Sequence, residues 1–161
     1  MQRASTDFTA QIAAIDKRLS AIPEQVTTRE IRPGGWRGTE VLGHLVDSSV
    51  NNHQRFVRAA LEGSYVGPGY DQVGWVTLHG YGAMPWSELL AHWRAQNRLL
   101  ARVVDQIPDH RFSAECRVGG GAPVTLAFLV EDYLRHLSDH VSQIEALNDP
   151  TAADEGHRSV R

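Results

Sequence analysis

LAFLVEDYLRHLSDHVSQIEAL, residues 126–147, holds two orders of information at once. Leu126, Val130, Tyr133, Leu134, Leu137, Val141, Ile144 and Leu147 recur at helical spacing and form one apolar arc. Glu131, Arg135 and Glu145 take the opposite side. His140 falls inside the arc and His136 at its edge, one turn apart and pointing the same way. Two inward imidazoles are either a hydrogen-bonded core pair or the start of a metal site, since neutral imidazole is the commonest metal ligand. Leu137 follows His136, so the zinc-protease motif His-Glu-x-x-His is absent.

Three more stripes of the same kind precede it. Phe8, Ile12, Ile15, Leu19 and Ile22 predict a helix over residues 5–22, which Pro23 ends. A second is expected over Thr39–Leu61, with Thr39 as N-cap and Gly63 beyond its end. Pro85 suits the first turn of a third. Its seam is Trp86, Leu90, Trp93, Asn97, Leu100, Val104 and Ile107, with Asn97 facing a pocket or fixing register. Thr125 caps the last helix. Four amphipathic helices predict an all-α four-helix bundle. The crossover between the second and third, Glu62 to Met84, has six glycines, Tyr65, Tyr70, Trp75 and Tyr81, and no helical period. It reads as a long loop of the lid or binding type, with Tyr70 and Trp75 available to cover a site. Residues 112–124, around Gly119-Gly120-Gly121, form a short hairpin before the last helix. Residues 1–147 make one domain, and 148–161 a polar tail.

Composition narrows the function. The chain has 161 residues and a formal charge of −3, and all but Lys17 of its 16 basic residues are arginine. These arginines are scattered, so no patch tracks nucleic acid, and the bias follows a GC-rich genome. No apolar run spans a membrane and residues 1–10 lack a signal-type core. The single Cys116 closes no internal disulfide and has no adjacent base. A cytoplasmic protein acting on a small molecule is expected.

His44 is the natural third imidazole, yet the periodicity of its helix argues against it. The arc there holds Leu42, Leu45, Val46, Val50, Phe56, Val57 and Ala60, while His44 shares the far side with Ser48, Asn51 and Arg55. That is the pattern of a solvated face. Ser48, Ser49, Asn51 and Asn52, however, are poor choices for an ordinary exposed helix, and they suit a cleft wall equally well. His53 falls about half a turn from His44 in projection and reads as a packing residue.

The stretches Arg32-Pro33-Gly34-Gly35-Trp36, Gly43-His44-Leu45-Val46-Asp47-Ser48, Asn51 and Arg55-Phe56 together resemble the DinB-like superfamily. The loop from Gly69 to Trp75 and the helix from Tyr133 to Ile144 fit the same pattern. The likeness is nearest to the YfiT branch of metal-dependent hydrolases and bacillithiol S-transferases. It implies a bundle that binds one divalent metal, zinc or nickel, through His44, His136 and His140. It also implies a homodimer. Gly69 and Gln72 depart from the Pro and Glu expected in the loop, which bears on substrate choice more than on the metal.

Such an ion activates either a low-molecular-weight thiol cosubstrate, giving an S-transferase, or water, giving a hydrolase. A third reading is a non-catalytic, metal-stabilised or dimerisation module. Asp47 and Asp132 are candidates to orient ligand imidazoles, with a surface ion pair as the alternative for Asp132. Asn51 and Arg55 are candidates to grip carboxylates of the thiol, with intrahelical contacts as the alternative.

Overall fold

The stripes become four long helices in the computed structural model, which describes residues 2–149 and the side chains from Asp7 onward. They are α1 (Gln2–Ser20), α2 (Gly38–Glu62), α4 (Trp86–Gln106) and α5 (Leu126–Glu145), with a shorter α3 (Gln72–His79) between the second and third. Both α1 and α2 pack on α4 and α5, so α4 and α5 lie between the other two. Phe8, Leu19, Leu42, Phe56, Leu100, Leu137 and Ile144 are fully buried, which is the core that the spacing lays out, and Leu89, outside the expected seam, is fully buried with them. The four-helix bundle expected from the sequence is the architecture found. The expected tail beyond Asp149 lies outside the described residues.

One polar pair sits in the middle of this core. Asn97 is wholly buried; its Nδ2 donates to the Trp93 carbonyl at 2.9 Å, and its Oδ1 accepts from the Tyr133 hydroxyl. Tyr133 in turn lies between Phe8 and Phe56, with ring centroids 6.1 Å away on each side. Asn97 therefore fixes the register of α4 against α5 and does not open onto a pocket.

Three local expectations are corrected. Thr39 lies inside α2, because the helix starts one residue earlier; Arg37 is its N-cap residue, and Glu40 accepts the Arg37 backbone N–H at 2.8 Å. The segment 62–84 is not a structureless loop. It contains β1 (Ser64–Gly67), α3 and a single 3-10 turn, Tyr81–Ala83. Helix α3 buries only Val76 and leaves Val73 and Leu78 largely exposed, so it carries no apolar stripe to read. It is set by its ends: Asp71 accepts the Gly74 N–H at 3.0 Å, and Gly80 takes a left-handed φ of 65°. Lastly, the hairpin of β2 (Glu115–Val118) and β3 (Val124–Thr125) forms as expected, but it gains a third strand. β1 pairs parallel to β2, with Tyr65 opposite Cys116. A parallel partner arrives through a long crossover, here α3 and α4, and leaves no short-range signature.

Thr125 does cap α5, accepting the Phe128 N–H at 3.1 Å. No helix among the described residues is long and apolar enough to cross a membrane.

Tyr133→Phe strands the buried Asn97 Oδ1 without a partner and should lower unfolding stability by about 1–3 kcal/mol. Urea denaturation measures it; an unchanged midpoint would show that the pair is not holding α4 and α5 in register.

Candidate metal centre

Helix α2 is covered on both sides, which explains why its periodicity misleads. The apolar arc faces α4 and α5, and the polar stripe is roofed by α3, the 3-10 turn and the Arg32–Trp36 turn. His44 is 1 % exposed and Ser48 4 %, whereas Val50, placed in the apolar arc by its spacing, is 38 % exposed. The Trp36 ring lies against His44, centroids 5.2 Å apart. A close approach of backbone to ring makes the roof fit: a Cβ on Gly43 would fall 2.1 Å from the Tyr81 ring.

His44, His136 and His140 meet at the edge of this roof. One ring nitrogen from each lies within 4.8 Å of the others. The Nε2 atoms of His44 and His136 are 3.2 Å apart, and the three rings are mutually edge-on, with centroids 4.5–5.1 Å apart. Burial first, and then repulsion from His136 and His140, pushes the His44 pKa down to about 3. Burial and His140 push His136 down to about 4, against the opposing pull of Asp132 and Asp139. All this favours neutral rings. Gln143 Oε1 sits 2.9 Å from His140 Nδ1, so the amide oxygen takes that N–H and leaves the Nε2 lone pair for the cluster.

Neutral nitrogens crowded this closely, with two of them 3.2 Å apart, repel unless a proton or a cation lies between them. The His44 Nδ1 is buried without a partner as well. A three-nitrogen set with one open flank matches the donor chemistry of a catalytic divalent ion. The residues fit the group.

Beside His140 and Gln143 opens a cleft of about 640 Å³, walled by Trp36, Glu40 and Val73. Further along α2 the other candidates make different contacts. Asp47 is 1 % exposed, and its Oδ1 accepts the Tyr81 hydroxyl at 2.7 Å and faces His79 Nδ1 at 3.1 Å. Its bonds reach none of the three clustered imidazoles. Burial raises its pKa, while Tyr81 and His79 pull it back. Asp132 forms an ion pair with Arg135 on the outer face. Asn51 Nδ2 donates to the Asp47 carbonyl at 2.9 Å, and Arg55 reaches Asn52 Oδ1 at 3.4 Å. Arg55 also lies close enough to Tyr70 to lower its pKa, although burial wins and drives that phenol up to about 12. Tyr70 stacks edge-on with Trp75 and Trp75 with His79, at 5.2 and 5.8 Å. Cys116 is buried, donating to the Ala114 carbonyl. Sequence reasoning missed Gln143, His79, Tyr81 and the sealing role of Trp36. The three-residue spacing from His140 to Gln143 was a usable signal; His79 had none.

The fold and site are those of a helical bundle in which three histidines from two helices converge, and comparison with known proteins gives its family. Residues 7–144 match the model of the DinB superfamily. The chain belongs to that superfamily. Among solved structures it is similar to YfiT from Bacillus subtilis, described as a probable metal-dependent hydrolase with an unusual four-helix bundle topology. The TM-score is 0.79 at 20 % identity, over 89 % of this chain and 85 % of that one. It is also similar to a mycothiol-dependent maleylpyruvate isomerase, with a TM-score of 0.72 at 12 % identity over 88 % of this chain; the match spans 59 % of the isomerase. A point mutant of that isomerase gives 0.73 at 11 % identity. At these identities the likeness establishes the fold. No curated protein sequence matches the chain.

The metal-free protein should be acid-sensitive with a definite sign. Unfolded histidines titrate near 6.5, folded His44 and His136 near 3 and 4, so between these values the unfolded chain binds more protons. Stability is therefore full above pH 6.5 and falls as pH drops toward 4. Urea midpoints across that window check it, and a flat profile would contradict neutral burial of the two rings.

Proposed function

We propose that the chain is a metal-dependent enzyme acting on a small molecule, with His44, His136 and His140 holding one divalent ion, zinc or nickel. The reaction favoured is transfer of a low-molecular-weight thiol to an electrophile. The observation that carries the reading is the convergence of three imidazoles beside an open cleft. When bound, such an ion lowers the pKa of a coordinated thiol or water and so supplies a nucleophile near neutral pH.

The remaining work falls to side chains. Gln143 fixes the His140 tautomer and Trp36 keeps bulk water off His44. Arg55, half-buried and without a carboxylate partner among the described residues, is suited to a carboxylate of the thiol cosubstrate, with Asn51 one turn away. The thiol-dependent isomerase among the structural neighbours supports this choice. YfiT's description as a probable metal-dependent hydrolase supports the second reading, in which water replaces the thiol. A cytoplasmic homodimer belongs to the same proposal.

His136→Ala should abolish stoichiometric metal in elemental analysis, and retention of a full equivalent would refute the ligand set. Conjugation of an electrophile should require mycothiol, bacillithiol or glutathione. Turnover of an ester panel without any thiol would favour the hydrolase.

A further inference from the structure

We infer that His79, oriented by Asp47 and Tyr81, is the proton-transferring group of this enzyme, a site separate from the three-histidine cluster. The inference rests on the enzymatic reading above and adds a catalytic residue to it.

The geometry begins with a carboxylate in an unusual place. Asp47 is nearly sealed from solvent on a helix that could have carried an apolar residue there. Burying a carboxylate is costly unless its charge meets partners. It meets two on one oxygen, the Tyr81 hydroxyl at 2.7 Å and His79 Nδ1 at 3.1 Å, while Oδ2 is buried without any. A carboxylate accepts, so Nδ1 carries the hydrogen and Nε2 of His79 keeps its lone pair. The His79 side chain is 43 % exposed, which leaves its ring within reach of a substrate while Asp47 holds the other edge. A buried carboxylate behind an imidazole fixes the tautomer and stabilises the imidazolium as it forms. If the pair served only to pin α3, a partly exposed histidine would return little for the cost of sealing Asp47 away.

Placement agrees. Asp47 follows His44 by three residues on the same covered face of α2, about 4.5 Å along the axis. Helix α3 then bridges the two features. Val73 in its first turn lines the cleft that His140 and Gln143 line, and His79 is its last residue. The dyad thus stands at the far end of α3 from that cleft, with Asp47 one turn beyond His44 on α2. The groups facing His79 are Asp47 from α2, Tyr81 from the 3-10 turn and Trp75 from α3 itself, with Tyr70 and Arg55 behind.

The step balances without another reagent. Nε2 accepts the proton as the S–H bond of the thiol breaks, and the sulfur electron pair forms the bond to the electrophilic carbon. Electrons of the broken carbon–leaving-group bond go to the leaving atom, which takes the proton back from Nε2.

The test uses the metal-loaded full chain. His79→Gln should keep its metal equivalent yet lose about 100-fold or more in thiol-conjugation turnover, together with one limb of the pH–rate profile. Asp47→Asn should keep the metal and displace that limb. Undiminished turnover with an unaltered profile in His79→Gln overturns the proposal. A second arm needs no turnover: acylation by diethyl pyrocarbonate, followed residue by residue by mass spectrometry. His79 should react faster than the exposed His92 and His110, and Asp47→Asn should remove that advantage. Should the wild type turn over no thiol and no ester, the proposed function fails by itself. His79 is then decided by acylation, where a rate no higher than those of His92 and His110 overturns its assignment.

Discussion

Three uncharged nitrogens, forced to face one point, set the terms for the rest of this structure. Without a proton or a cation between them they repel, and protonating His44 and His136 is resisted first by burial and then by the neighbouring imidazoles. Holding them requires a scaffold stiff enough to keep two helices at a fixed offset. The core supplies it through the Asn97–Tyr133 bond and the aromatic packing of Phe8 and Phe56 around Tyr133. Stability of the bundle and readiness of the cluster are thus one requirement, since a shift of α5 along its neighbours would separate His136 from His44.

Helix α2 is where structure and chemistry compete. One face is ordinary core. The other is roofed by side chains from a crossover that contributes little apolar area, and it is lined by Ser48, Asn51 and Asn52; the two asparagine amides bond back to carbonyls four residues earlier. These are weak helix formers. Their presence fits a cleft wall, where polar side chains bond to one another and to the helix backbone while burial keeps His44 neutral.

What the sequence disclosed follows from how local each signal is. The stripes of α1, α4 and α5 and the His136–His140 spacing are written within a few turns of chain, and they read correctly. The Thr125 cap is equally local. His44 was legible only through resemblance, because the cover over it comes from residues 36 and 72–83, and no period in α2 records a neighbour that arrives later. For the same reason β1 was invisible: Tyr65 finds Cys116 across most of the bundle. Helix α3 escaped because a helix exposed on most sides carries no amphipathic stripe. Asp47 was noticed as a carboxylate near a ligand, but its true partners, Tyr81 and His79, sit in that unreadable segment.

Gly43 gives this arrangement a hidden dependence. Replacing its hydrogen by a methyl would intrude on the Tyr81 ring, although alanine is the better helix former by about 1 kcal/mol. The phenol would be lifted from the backbone, and its hydroxyl would leave Asp47. A bare patch of main chain, with no functional group of its own, therefore governs where a proton-handling ring is anchored. The gentlest change to α2 would be felt in a ring that a later segment of the chain brings against it.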